Sequence, residues 1–571
     1  MNDIIRERIA KIPIEDKPIS KLKLSGIGNF FGLYGGEHIA ATEFVIGAVL
    51  VLWGCKATDI FLGLIIGNIL ATCTYAFICA PIAVDTRLTL YSYLKKVVGV
   101  KMQKIYNFVW GIASIAMAAS MLTVSVSAVR EVFNVAPQTH WYPTDIKFIM
   151  ISIVLGIIVT VVAANGFEAV AKFSSVCAPW MIAVFFAGAL VALPQLVDIT
   201  GFEKVNSISS FFNLVNTHVW NGEVVNGGEQ LGILHVIGFA WMCNLAYHGG
   251  LNDMSLFRFA KSYKYGFVSA IGMFVGHFFA WGSAGIMGAT AAIIAKNSIT
   301  NMDSGAVTNI ILGGMGLLAV IVAGWTTANP SIYRASLALK TIFTNVELKT
   351  LSYIVGIIMT IMGSFPITAN IMAIVNIIVL IVPAVGAICI AEHYILPRLG
   401  GTRYWTMYKG NSLNYAALLA WLISLCFVII MLYFKIIHSY FLFLPTYIIA
   451  IVSYLYLALK MGAANNYDDK INEDIEFQKV LEKIIEEEDR KEIETSTSIV
   501  YTNLTKKIFN VSYIVCGGLL IAIMWFSILT FKGNLEINTF KKLAFQFTIA
   551  YFIISAITTY MKMKAERVVV K

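Results

Sequence analysis

Stretches of about 20 apolar residues recur along almost the whole chain, separated by short polar connections. Each is long enough to carry an α-helix across the hydrocarbon layer of a bilayer. In lipid every backbone polar group must be satisfied within the protein, which leaves helices or closed barrels as the available folds. Runs of this length read as helices. The spacing predicts twelve spans in a first block, at about 26–53, 59–84, 105–129, 148–164, 176–196, 231–251, 265–295, 307–328, 351–363, 367–391, 413–434 and 440–459. Two more follow at 508–531 and 543–560, for a total of about fourteen. Composition agrees: 58% of residues are hydrophobic and 13% charged, against roughly 25% charged in soluble domains.

Loop charge supplies an independent check, because Lys and Arg gather on the cytoplasmic side of such proteins. With the N-terminus inside, 33 of the 42 basic residues fall in inside segments and 9 in outside ones. One missed span would invert every later loop and erase that contrast. The reading is therefore a multi-pass protein of the cell (inner) membrane with both termini cytoplasmic. The 24 residues at the N-terminus are polar, unlike a cleavable signal. The net charge of +9 is scattered over short loops and gives no reason to expect nucleic acid. The eight cysteines lack paired metal-type spacing and read as small core hydrophobes. Residues 468–494 place Ile471, Ile475, Phe477, Val480, Leu481 and Ile484 near helical spacing among Glu, Asp and Lys, which predicts a surface amphipathic helix.

Three places put polar groups at membrane depth, where they are costly and so are candidates for function. Span 1 contains Gly32-Leu-Tyr-Gly-Gly-Glu-His38, with Glu43 shortly after. Three glycines beside ionisable residues suit a broken helix lining a cavity. Solvation of Glu37 and His38 at an aqueous end is the plainer alternative. Span 6 contains Ala240-Trp-Met-Cys-Asn-Leu-Ala-Tyr-His-Gly-Gly250. A flat heterocycle needs an aromatic face and amide or carboxyl partners, which Trp241, Asn244 and Glu37 would supply. Ordinary core packing explains Trp241 equally well. Span 8 contains Ala323-Gly-Trp-Thr-Thr-Ala-Asn329. Its hydroxyls either bond back to their own helix or offer oxygens to a hard cation. Nucleotide-binding loops, metalloprotease motifs and nucleophile elbows do not occur, which argues against an ATP-driven pump or an enzyme.

Several segments resemble one family. Leu64-Ile-Ile-Gly-Asn68, Thr86-Arg-Leu-Thr, Gly99-Val-Lys101 and Asn252-Asp-Met-Ser-Leu-Phe-Arg-Phe259 are similar to signatures of the nucleobase–cation symporters, which include cytosine and purine permeases and hydantoin transporters. Trp325-Thr-Thr-Ala-Asn-Pro-Ser-Ile-Tyr-Arg-Ala-Ser-Leu-Ala-Leu339 is the most specific match, and the resemblance covers about residues 20–460. It implies an all-α polytopic membrane protein with a leucine-transporter-like 5+5 inverted repeat and broken spans 1 and 6. The organisation would be an N-terminal tail (1–25), a twelve-span core (26–460, repeats at about 26–200 and 230–395), a charged linker (461–507) and an extra hairpin with tail (508–571).

The resemblance further implies alternating-access symport, with Na⁺ or H⁺ as coupling ion and no other cofactor. A Na⁺ site would use Ala323, Thr326 and Thr327 with a span 1 carbonyl such as that of Gly35. The substrate would lie against Glu37, His38, Met117, Trp241, Asn244 and Asn329. Met117 stands near where the family often places a stacking Trp, and Glu37-His38 has no counterpart in the pattern. Partners would be the small-molecule substrate, the coupling cation and the bilayer. Same-fold symport of an amino acid, amine or vitamin precursor is the alternative, and a channel or membrane-embedded enzyme belongs to a different class.

Overall fold

The computed structural model describes residues 2–39, 41–165, 167–225, 229–243, 249–495 and 503–569. Among these residues the secondary structure is helical, with three isolated backbone bridges. Among the described residues eleven helices are long and apolar enough to cross a membrane. Three shorter apolar helices, Thr42–Leu52, Ile233–Cys243 and Leu348–Gly363, occupy the places of expected spans 1, 6 and 9.

Span 1 is interrupted. One helix runs Ile27–Glu37, a second Ala41–Leu52, and His38 caps the first outside helical geometry. Span 6 begins as Ile233–Cys243; after residues 244–248, which lie outside the described residues, the chain turns through Gly249 (φ +74°) and Gly250 (φ +68°) into the short helix Met254–Phe257. Positive φ at two successive residues is open to glycine at low cost. The leucine-transporter-like expectation of broken first and sixth spans thus holds.

Some boundaries shift. Span 8 is Gly314–Lys340 rather than 307–328, because Gly313 (φ +61°) separates it from a preceding helix, Ser304–Leu312. Span 3 is drawn out to Leu90–Val132 through a break at Gly99 (φ +79°), and span 5 extends to Phe167–Thr200. Span 7, Tyr263–Ala295, contains a π-helical stretch, Gly272–Phe279.

Helix contacts follow the rule that small residues let backbones approach in lipid. A Cβ at Gly63 or Gly67 of span 2 would overlap Val236 or Ala240 of span 6. Spans 4 and 9, the fourth of each half, pack reciprocally. Gly156 of span 4 lies under Thr360 of span 9, and Gly356 of span 9 under Thr160 of span 4. Each hydroxyl bonds back to the glycine carbonyl of its own helix, at 2.6 Å for Thr160 and 2.7 Å for Thr360. The matching sequences, Gly156-Ile-Ile-Val-Thr160 and Gly356-Ile-Ile-Met-Thr360, are one element used twice.

The last two spans, Asn503–Phe531 and Ile537–Val569, form a hairpin against spans 5 and 8. Trp180 donates to Thr548 at 3.0 Å and its ring meets Phe552 edge-on, while the Tyr551 hydroxyl donates to the Val176 carbonyl at 2.7 Å.

The amphipathic stretch is a helix, Asp468–Thr495, as its spacing predicts. It lies across the N-terminal segment. Lys17, Lys21 and Lys23 pair with Glu488, Glu482 and Asp489 at 3.4, 2.9 and 2.7 Å, and Arg87, beyond span 2, shares Glu482 at 3.0 Å. Ile9, Leu481 and Ile485 bury a small apolar seam beneath the charges. The hydrogen bond from Lys21, then the charge of Arg87, hold the Glu482 carboxyl below its usual range against partial burial. Burial opposes the charge on Lys23, but its bonds to Asp489 and Glu492 prevail and raise its pKa. A depressed carboxylate stabilises above its unfolded pKa and is lost as pH falls; a raised lysine stabilises below its unfolded pKa and is lost as pH rises. The clamp is thus firmest between about pH 5 and pH 10. Protection against hydrogen exchange across residues 2–25 and 468–495, taken relative to the intrinsic amide rate at each pH, should fall below about pH 4 and, because exposed pairs are screened, in about 1 M salt. Protection indifferent to both would mean that the apolar seam alone holds the clamp.

Candidate functional site

The interruption of span 1 is the organising feature. His38, at the end of the first half-helix, is buried; its Nδ1 lies 3.2 Å from the Tyr34 carbonyl and its ring stacks on Tyr34 at 5.3 Å. Gly272 and Gly276 of span 7 make the room. A Cβ at Gly272 would come within 2.7 Å of the His38 ring, and one at Gly276 would overlap the His38 carbonyl. Both lie in the π-helical stretch, a distortion frequent at functional sites.

Across the break, Glu43 stands in the first turn of the second half-helix with 2% of its surface exposed. It accepts from Thr42 at 2.8 Å and lies 3.6 Å from His277 Nε2 of span 7. The His277 ring meets that of His38 edge-on at 5.1 Å and stacks on Trp281 at 4.6 Å. Its Nδ1 is buried with no hydrogen-bond partner among the described residues.

A second network closes the end of the bundle that carries the N-terminus. Tyr34 donates to Asp253 at 2.7 Å, and Asp253 pairs with Arg334 of span 8 at 3.7 Å. Tyr91 donates to Asn252 at 3.1 Å, and the Trp110 indole donates to Tyr91 at 3.3 Å. Spans 1, 3, 6 and 8 are thereby tied together below the break.

The sequence-expected residues are distributed as follows. Gly35 is buried, with Ile271 of span 7 facing the place of its missing side chain. Thr326 and Thr327 both donate to the Ala323 carbonyl, at 2.9 and 3.4 Å. These are bonds back to their own helix, the first of the two readings of this segment; donation leaves the hydroxyl lone pairs open. Asn329 is 1% exposed, and its Oδ1 has no hydrogen-bond partner among the described residues. Trp241 donates to Thr74 of span 2 at 2.9 Å and meets Phe443 of span 12 edge-on, so its contacts are those of interhelical packing. Met117 is half-buried against the core. Asn244 and the side chain of Glu37 lie outside the described residues. His277 escaped the sequence reading, and Tyr34 and Arg334 lay inside quoted motifs without being given a role. An ionisable His277 in an otherwise apolar span was the available signal.

No family model and no curated protein sequence matches the chain. Solved structures do. The fold is similar to that of Mhp1, a nucleobase-cation-symport-1 family transporter, in a closed conformation with bromovinylhydantoin bound: TM-score 0.60, 14% identity, covering 81% of this chain and 99% of that one. The inward-facing conformation of Mhp1 matches with TM-score 0.58, 14% identity and coverage of 81% and 97%. A Na⁺-coupled sialic acid symporter in a substrate-bound outward-open state matches with TM-score 0.53, 13% identity and coverage of 76% and 90%. The class defined is thus a multi-span membrane protein with the leucine-transporter-like fold, and the resemblance to nucleobase–cation symporters holds at the level of that fold.

The glycine cradle yields a paired test. Gly276→Ala forces a methyl into the His38 carbonyl and should cost about 1–3 kcal/mol, as overpacking does. Gly517→Ala, in a hairpin helix with nothing within 4 Å, should be neutral or slightly stabilising. Thermal unfolding of both purified variants checks this, and equal melting temperatures would show that span 7 yields freely.

Proposed function

We propose that this chain is a secondary active transporter, importing a small polar heterocycle of the nucleobase or hydantoin kind by alternating access with a coupling cation. The observation that carries the reading is the interrupted span 1. Its broken ends, buried polar groups and packing against spans 6, 7 and 8 suit a midplane site in the transporter fold.

Within this reading Asn329 contacts substrate. Its buried carbonyl oxygen gains a partner when a ring N–H arrives, and a buried acceptor left unpaired costs about 1–3 kcal/mol. Met117, His38, Glu37 and Asn244 are the remaining proposed contacts, and Trp241 would join them only by leaving its packing against Thr74 and Phe443. Ala323, Thr326, Thr327 and the Gly35 carbonyl are the proposed ligands of a transported Na⁺. The excess of Lys and Arg in the loops on that side supports a cytoplasmic location for both termini, the clamp helix and the Tyr34–Asp253–Arg334 network. Inward release then requires Tyr34 to part from Asp253. Each ligand needs only to favour the same state for their movements to be coupled.

Uptake into proteoliposomes tests this with a panel of cytosine, uracil, adenine, hypoxanthine, allantoin, a hydantoin and a cationic amine, under inward Na⁺ or H⁺ gradients. The expected result is gradient-driven accumulation of one or more heterocycles, with Asn329→Ala losing roughly five- to hundredfold in apparent affinity. Accumulation of the amine alone would overturn the substrate class. Saturation-free conductance would overturn the transporter.

A further inference from the structure

The pairing of Glu43 with His277, beside His38, is not explained by the substrate contacts or by the oxygen set on span 8. A carboxylate and two imidazoles are buried together in apolar helices. Solvation there is poor, so every unit of uncompensated charge is expensive. With His277 neutral and Glu43 ionised the pair carries one buried negative charge. One added proton cancels it, either as a neutral acid beside a neutral imidazole or as an ion pair. The geometry therefore favours binding a single proton, and the two residues titrate as a unit.

From this we infer that Glu43 and His277 share one exchangeable proton and form the site of a coupling proton. The inference rests on the transporter reading above and adds a coupling proton to the Na⁺ proposed there. The proton adds to the pair without any bond between heavy atoms being made or broken, and it leaves from the pair on release. Glu43 belongs to span 1 and His277 to span 7, 3.6 Å apart, so protonation changes the attraction between two helices that meet at the break. His38 is the element that reports it. Its ring lies against His277 and its carbonyl against Gly276, while its Nδ1 faces the Tyr34 carbonyl; the Tyr34 hydroxyl donates to Asp253. A change at the pair thus has a packed route to the network that closes the terminal end.

The surroundings of the pair come from each neighbouring element. Span 1 supplies His38, Tyr34 and the Thr42 hydroxyl. Span 6 supplies Cys243 beside Glu43, and Asp253 further down; His248 belongs to the segment outside the described residues. Span 2 sets Tyr75 and Cys79 near Tyr34, span 5 meets span 7 through Phe186 against Phe279, and Arg334 of span 8 holds Asp253. Trp281 stacks on one face of the His277 ring.

Two measurements on the full-length protein separate this inference from the transporter reading. The first is substrate-free: infrared difference spectra of purified protein in lipid nanodiscs, stepped between about pH 5 and pH 8, the range in which histidine-linked groups exchange protons. A carboxylic C=O band that vanishes as pH rises is expected in wild type, absent in the near-isosteric Glu43→Gln and displaced in His277→Asn. The second is uptake: an inward proton gradient should drive accumulation in wild type and fail to do so in Glu43→Gln. A wild-type spectrum with neither this band nor an imidazolium ring band that vanishes over the same range, or with such a band unchanged in Glu43→Gln, overturns the proton site even if that variant folds poorly. Na⁺-driven accumulation indifferent to pH and to Glu43→Gln overturns it too, and leaves the transporter standing. A titrating Glu43 band with no accumulation of any solute supports the proton site and overturns the transporter reading.

Discussion

A helix cannot stop inside a bilayer without leaving carbonyls and amides unpaired, and each such group costs several kcal/mol in hydrocarbon. The interruption of span 1 between Glu37 and Ala41 is possible only because other helices close around it. Span 7 does so with its π-helical stretch, and Gly272 and Gly276 remove the side chains that would keep His38 out. Span 6 answers from the other side with its own turn through Gly249 and Gly250. The rest of the bundle can be understood as what is needed to hold two incomplete helices together.

The holding is done by close backbone approach more than by polar contact. In lipid there is little hydrophobic force between helices, so van der Waals fit must supply it. Gly63 and Gly67 bring span 2 onto span 6, and the Gly156–Thr360 and Gly356–Thr160 pairs bring span 4 onto span 9. The second contact repeats the same five-residue element two hundred positions later, in helices that occupy equivalent places in the two halves. Two copies of one packing solution, facing each other, are what an inverted repeat leaves at its interface.

Spans, loop charges and the broken first helix were legible in the sequence because each has a one-dimensional signature: length, Lys and Arg counts, or glycines beside ionisable residues. The Ser-x-x-x-Gly-Ile-Ile-x-Thr echo at 152–160 and 352–360 was equally legible, but a search for motifs of chemistry passes over motifs of packing. The start of span 8 was misplaced because Gly313 looks like any glycine in an apolar run until its φ of +61° is known. Trp241 stood out as an aromatic near a break, yet which neighbours it meets depends on the rotation of span 6, and composition does not encode that. His277 lies 239 positions after His38, and no periodicity links them. Their contact exists only once spans 1 and 7 are packed.

The N-terminal clamp extends the same logic beyond the membrane. Lys17, Lys21 and Lys23 immediately precede the Ile27–Glu37 half-helix, and all three are held by the Asp468–Thr495 helix. That helix joins the twelfth span to the C-terminal hairpin, which is itself fixed to span 5 through Trp180 and Tyr551. Any swing of the first half-helix about its break must therefore either carry the clamp along or break its ion pairs. Partly exposed pairs of this kind contribute about 0–1 kcal/mol each, so several together can bias a transition without forbidding it. A helix and hairpin beyond the twelfth span are thus tied to one of the two elements whose interruption the bundle contains.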